Sequence, residues 1–250
     1  MQISGNTILV TGGGSGIGAA LAGALHQKGN RVIVAGRRRE TLDTVAAAHP
    51  GMATATLDVS DADAIAAGAE QIVADHPELN VVIHNAGIMV AEDLTADPYD
   101  TDVAEAIIAT NLLGPIRLTA ALLPHLKRQP KASIVTVSSG LAFVPLVATP
   151  TYNATKAAIH SWSQAIRAQL ADSAIEVMEI VPPAVATDLM PGHADNPNSM
   201  PLDAFIAEIM SLIEADPNAK EIHVERVKFL SEAERRGDYE QVFAMLNARH

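Results

Sequence analysis

Tyr152 and Lys156 stand four residues apart in a helical pattern, so a phenol and an ammonium share one face, one turn apart. A phenol of ordinary pKa, about 10, does no acid–base work near neutral pH unless its anion is favoured. A neighbouring ammonium favours it, and the same amine can hold a ribose hydroxyl. Ser139 closes an apolar run that reads as a strand, where its hydroxyl can hydrogen-bond a carbonyl oxygen facing the tyrosine. The chemistry this spells is proton transfer to or from the oxygen of a carbonyl or an alcohol. Taken alone, Tyr-x-x-x-Lys is commonplace on solvated helix faces. Asn111, inside a long helical pattern, needs a partner for its amide.

A glycine-rich turn makes the pair informative. Thr11-Gly-Gly-Gly-Ser-Gly-Ile-Gly18 follows the first apolar run and opens the first helical pattern. Glycines let the backbone turn tightly and bring its N–H groups and a helix N-terminus against a pyrophosphate. Gly14, Gly16 and Ala19 fit G-x-G-x-x-A, while Gly12, Gly16 and Gly18 fit T-G-x-x-x-G-x-G, and spacing alone does not choose between them. Gly12, Ser15, Gly16, Ile17 and Gly18 are the expected phosphate-side contacts. The second strand, 32–35, runs into Gly36-Arg37-Arg38-Arg39. An NAD site usually places a carboxylate there for the ribose 2′-hydroxyl, whereas a guanidinium fork suits a 2′-phosphate. NADP(H) is therefore preferred over NAD(H), with Arg37 the first phosphate contact and Arg38 the second. The competing reading is a solvated first helical turn, which the helix macrodipole disfavours for arginine.

The elements that must position these residues follow from pattern. Short β-branched runs at 7–10, 31–35, 53–57, 81–84, 133–137 and 175–180 alternate with helical segments at 17–28, 38–48, 62–75, 99–128 and 152–170. That alternation predicts an α/β fold with a doubly wound parallel sheet, a Rossmann fold, and the motifs fall just after strands, where such sheets bind ligands. The 250 residues suit a single domain, and 3% aromatic content requires a core of Ala, Val, Ile and Leu, as parallel strands covered on both faces have. The irregular stretch 188–200, with Pro191, Gly192, Pro197 and Asn198, precedes an amphipathic helix at 202–213; together, about 186–213, they form a candidate substrate lid.

At this point the chain resembles the short-chain dehydrogenase/reductase family, in its branch of about 250 residues, over almost its whole length. The resemblance rests on Thr11–Gly18, Asp58, Asn85-Ala86-Gly87, Asn111, Ser139, Tyr152, Lys156 and the stretch from Pro182 to Thr187. The stretch Leu141-Ala-Phe-Val-Pro-Leu and the chain's ending are similar to a bacterial branch named for teichoic-acid D-alanylation. The resemblance implies Tyr152 as general acid/base, Ser139 as anchor of the substrate oxygen, Lys156 lowering the tyrosine pKa and binding the nicotinamide ribose, and Asn111 ordering a water in the proton relay. It also implies Asp58 and Val59 at the adenine, Asn85, Ala86 and Gly87 beside the adenine ribose, and Pro182, Val185 and Thr187 near the carboxamide. His84 stands where the family usually has Asn, and Pro183 where it has Gly.

The expected activity is NADP(H)-dependent hydride transfer between nicotinamide and an apolar ketone, aldehyde or secondary alcohol. Leu141, Phe143, Val144, Leu146, Val185, Met190 and Met200 are expected around the nicotinamide, without a nearby cation to grip an anionic substrate. The alternatives are an NAD(H)-dependent alcohol dehydrogenase of the same family and a cofactor-binding regulatory protein without turnover. A net charge of −12 disfavours nucleic acid and anionic membranes. The apolar window 106–126 contains Asn111, Pro115 and Arg117 and reads as a buried helix. The N-terminal residues show no basic, cleavable leader, which points to the cytoplasm. No metal is expected, because the nine histidines lack ligand spacing, and His160 reads as a packed or interface residue. Family analogy implies a homodimer or homotetramer.

Overall fold

The computed structural model describes residues 1–190, 192 and 194–248; Pro191 and His193, within the expected lid, lie outside the described residues. The described strands form one seven-stranded sheet in the order β3-β2-β1-β4-β5-β6-β7, every pairing parallel. They are β1 (Thr7–Thr11), β2 (Arg31–Gly36), β3 (Ala53–Thr56), β4 (Leu79–His84), β5 (Ala132–Val137), β6 (Ile175–Val181) and β7 (Glu221–His223). Period-2 alternation sends successive side chains into two separate cores. Ile8, Val10, Val32, Val34, Val135, Met178 and Ile180 pack on one face, and Leu9, Ile33, Ala35, Ile134 and Val177 on the other.

The first face is covered by α1 (Gly16–Gln27) and α7 (Leu202–Ala215), through Leu21, Leu25, Phe205, Ile209 and Ile213. The second is covered by α3 (Ala62–Asp75) and α5 (Gly114–Leu126), through Ile65, Ile72, Leu118, Leu122 and Leu126. α2 (Arg39–Ala48) follows β2, and α6 (Pro150–Gln169) follows β5. Chain order reverses between β1 and β4, so the helices after them lie on opposite faces and a crevice opens at the strands' carboxyl ends.

Three features were not foreseen. The long helix of 99–128 is α4 (Asp102–Ile108) and α5 joined by a π-helical turn, Ala109–Leu113, which contains Asn111. Such turns insert an extra residue and re-aim the side chains around it. The stretch 102–126 is long and apolar enough to cross a membrane, yet Leu118, Leu122 and Leu126 are spent on the sheet. β7 is only three residues long, with charged or polar ends, and has no readable period. The C-terminal helices α8 (Lys228–Ser231), α9 (Ala233–Arg236) and α10 (Tyr239–Leu246) fold back over the segment after Ser139. There Val144 packs with Ala233 and Val242, and the Asn247 side chain accepts from Val147 N at 2.8 Å and donates to Pro145 O at 3.2 Å.

Candidate active site

Strand order dictates the order of groups along the crevice. Asp58 follows β3, Arg37 follows β2, the glycine turn follows β1, Asn85–Gly87 follows β4, Ser139 follows β5, and the 182–187 stretch follows β6. At about 4.8 Å per strand, Arg37 and Ser139 are roughly 14 Å apart across the sheet. They line one cleft of about 1330 Å³, together with Gly12, Ser15, Gly16, Ile17, Arg38, Val59, Asn85, Ala86, Gly87, Tyr152, Lys156, Pro182, Val185 and Thr187. Of the expected site residues, Gly18 and Asn111 stand behind the lining.

The glycine turn is shaped from behind. Gly12 has φ +66°, and a Cβ there would come within 2.8 Å of Ala86 Cα. A Cβ at Gly18 would collide with the Gly12 carbonyl and the Asn85 amide. Asn85 Nδ2 donates to the Thr11 and Gly12 carbonyls at 3.0 and 3.3 Å, and Thr11 Oγ1 accepts from the N–H groups of Asn85 and Ala86, both at 3.1 Å. The turns after β1 and β4 are thus stapled together. The Ser15 side chain does not cap α1, which leaves that helix's first N–H groups to the cleft.

At the Arg37 end, Arg39 turns to Asp43 at 2.7 Å, whereas Arg37 and Arg38 line the cleft. Burial raises the Asp58 pKa, but hydrogen bonds from the Ser60 hydroxyl and N–H, at 2.7 and 2.9 Å, and the charge of Arg37 outweigh it and hold the carboxyl below its usual range.

At the other end, α6 starts at Pro150 and buries Tyr152 and Lys156 on the face turned to β5. The Tyr152 hydroxyl faces the Ser139 side chain, whose Oγ accepts from Leu141 N at 3.1 Å. Lys156 Nζ lies 5.6 Å from the Tyr152 ring centroid and donates to Val137 O at 2.8 Å. Burial pushes the phenol up to about 12, against the Ser139 hydrogen bond, and pushes the amine down to about 8, against the charge of Glu179. Desolvation, not the ammonium, therefore sets the phenol's proton affinity.

Asn111 acts on the wall. Its Oδ1 accepts from Ile88 N and its Nδ2 donates to Ile88 O, both at 2.9 Å, with Thr155 Oγ1 at 3.4 Å. The amide has the partners its helical position required. Asn111→Ala should strand two part-buried backbone groups, cost about 1–2 kcal/mol, and lower Tm by about 2–8 °C in a thermal melt. An unchanged Tm would contradict the strap.

The apolar expectation needs correction. Leu141, Leu146 and Val185 line the cleft, but Val144 is fully buried under α9 and α10, Phe143 packs on His160 and His223, and Met200 joins the main core. The C-terminal helices cover Val144 and supply Phe229, Leu230, Met245 and Leu246 to the cleft instead. A cation also reaches this end. Arg226 lines the cleft and its Nη2 donates to Asn198 O at 2.8 Å, fastening the 188–200 loop. The loop's root is closed by pairing of Val185 with Met200. His84 is buried, held neutral by burial with a pKa of about 3, and meets Thr119 Oγ1 at 2.8 Å. His160 is a packed residue, facing Glu179.

Comparison with known proteins agrees with this architecture. The short chain dehydrogenase family profile matches residues 6–198. The uncharacterized oxidoreductase DltE of Bacillus subtilis (strain 168) is 37% identical, covering 100% of this chain and 99% of that protein. An uncharacterized oxidoreductase of Staphylococcus aureus (strain MW2) is 30% identical over 88% of this chain and 96% of that one. Among solved structures, a short chain dehydrogenase from Burkholderia cenocepacia J2315 in complex with NADP superimposes with a TM-score of 0.82 at 24% identity, covering 98% of this chain and 99% of that one. An alcohol dehydrogenase from Thermococcus sibiricus complexed with 5-hydroxy-NADP gives 0.77 at 23%, covering 88% and 95%.

Proposed function

Since the chain belongs to the short chain dehydrogenase family of oxidoreductases, we propose that it is an NADP(H)-dependent carbonyl reductase or alcohol dehydrogenase acting on an apolar ketone, aldehyde or secondary alcohol. The observation that carries this reading is the Tyr152 hydroxyl facing Ser139, with Lys156 one turn away on the same helix, in the same crevice as the glycine turn. The crevice suits a dinucleotide: a Cβ at Gly12 or Gly18 would fill the cradle, α1 keeps free N–H groups, and two arginines stand beyond β2. Held there, a dinucleotide would supply the hydride chemistry through its nicotinamide.

The protein's own groups do the rest. Ser139 holds the substrate oxygen beside Tyr152, and the phenol gives that oxygen its proton as the carbonyl is reduced. Burial keeps the phenol protonated at neutral pH, so it stands ready as the donor. Lys156 offers its ammonium to a ribose hydroxyl and to the phenolate left behind, while Asn111 holds the wall through Ile88. The 186–213 segment, rooted at the Val185–Met200 pairing, serves as the substrate lid. The mostly apolar far wall favours substrates with hydrophobic groups. The NADP-bound Burkholderia relative supports the cofactor assignment.

A panel of ketones and secondary alcohols, assayed with NADPH and NADH by nicotinamide absorbance, tests the activity; no turnover with any pair would sink it. Arg37→Ala should weaken NADPH binding about tenfold, the worth of one charge-assisted bond, and leave NADH nearly unchanged in a fluorescence titration. Equal losses for both cofactors would remove Arg37 from a 2′-phosphate site.

A further inference from the structure

Glu179, in the middle of β6, is a carboxylate with 0% exposure. A carboxylate withdrawn from water is costly unless other groups offset its charge. Ser138 Oγ donates to one of its oxygens, and His160 Nδ1 lies 3.0 and 2.9 Å from the two. His160 is one turn beyond Lys156 on α6, on the same face. The β5–β6 register sets Glu179 opposite Thr136, next to Val137, whose carbonyl holds the Lys156 amine. The carboxylate therefore sits under the stretch of α6 that carries Lys156 and His160. His160 is kept in place from outside by the Phe143 ring at 4.7 Å and by Gln164 Nε2 at 3.1 Å from its Nε2.

We propose that Glu179, clasped by Ser138 and His160, is a positioning residue of the reaction centre: its buried negative charge keeps the Lys156 amine an ammonium, and the state of His160 sets how much of that charge Lys156 feels. The inference rests on the reading of Tyr152 and Lys156 as the reaction centre. Tyr152 and His160 on α6 and Glu179 on β6 are the titratable groups facing Lys156; β5 contributes Ser138 and Ser139, and the π-helical turn Asn111, all uncharged. Facing the Glu179–His160 pair are Arg167 of α6 and Glu221 of β7, and beside Glu221 lies His223. Glu179 is the group that resists the downward push of burial on Lys156, and its hydrogen bond raises the His160 pKa. Protonated His160 offsets the carboxylate at low pH; neutral His160 leaves the full charge to act on Lys156 at high pH.

The test is an NMR titration of the cofactor-free full chain carrying 13C-labelled lysine, with Lys156→Arg assigning the resonance. Glu179→Gln should lower the Lys156 midpoint by about one pH unit, a tenfold loss of proton affinity. His160→Arg, at a partly exposed position, should lower it in the same direction without altering the buried carboxylate, and carries the test if Glu179→Gln does not fold. His160→Gln keeps a donor to Glu179 and adds no charge, so the midpoint should stay. With the best ketone of the panel, the alkaline limb of kcat/KM should move to lower pH by the same amount in the first two variants. A stationary midpoint with a lowered Tm would make the pair merely structural and overturn the proposal. A midpoint that moves while the limb stays would overturn its part in the reaction. The NMR readout needs no turnover, so it stands apart from the fate of the activity itself.

Discussion

Tyr152→Phe should bind NADPH as the parent does and lose about 10²–10⁴-fold in kcat for ketone reduction, the usual worth of a positioned general acid, or about 3–5 kcal/mol in the barrier. The substitution removes one oxygen from a ring buried with Met89 and Ile107, so packing survives. What disappears is the hydroxyl facing Ser139 and the proton it carries. Because burial holds the phenol up to about 12, it is loaded through neutral and mildly alkaline pH, and reduction should be flat through neutrality. Of the Tyr152–Lys156 pair, the group that titrates in the working range is Lys156, held down to about 8. Its ammonium is present below that pH and lost as pH rises through it, so kcat/KM for reduction should decline above about 8. Rapid kinetics and cofactor fluorescence on the same variant separate the two effects. Parental turnover in Tyr152→Phe would remove the phenol from the mechanism, and a profile still rising at high pH would remove the ammonium.

The parts of this molecule that were legible in the sequence are those whose physics is local. Six strands announced themselves because buried parallel strands are short β-branched runs, and the observed ends differ by at most a few residues. The glycine turn and the Tyr-x-x-x-Lys helix are likewise continuous in sequence. β7 was hidden because three residues with Glu and His at their ends carry no period. The π-helical turn was hidden because its insertion is a matter of hydrogen-bond pattern, which composition does not reveal. The substrate end was read worst. Val144 and Phe143 looked like pocket residues from their place after Ser139, but the C-terminal helices cover one and His160 and His223 engage the other. Arg226 and Glu179 reach their positions through β7 and β6, 87 and 40 residues beyond Ser139 by their numbers, so no spacing rule could have found them.

Gly18→Val should all but abolish cofactor binding, with at least about a hundredfold loss of affinity, while leaving the far-ultraviolet circular dichroism of the sheet and helices close to the parent's. Gly18 touches no ligand space; it lies behind the turn where α1 leaves β1. The colliding partner is the Gly12 carbonyl, which is backbone and cannot swing aside as a flexible side chain would. Relief requires α1 to back away from β1, or the turn to open. Either motion pulls on Asn85, which donates to that same carbonyl and ties the turn to β4. Three walls of the crevice thus depend on one missing methyl, and the third glycine of such a fingerprint serves close packing of helix on strand. Overpacking of this kind costs about 1–3 kcal/mol, or about 2–12 °C in Tm for a chain of this size. The functional loss should exceed the loss of stability, because displacing binding groups by about 1 Å can cost about a hundredfold. Gly36→Ala is the control: a Cβ there makes only ordinary contact, 3.6 Å from Leu42 Cδ2, so affinity and Tm should hardly change. If Gly18→Val bound NADPH as tightly as Gly36→Ala does, the dinucleotide would have to lie away from the glycine turn, and the order of groups along the crevice would need to be assigned anew.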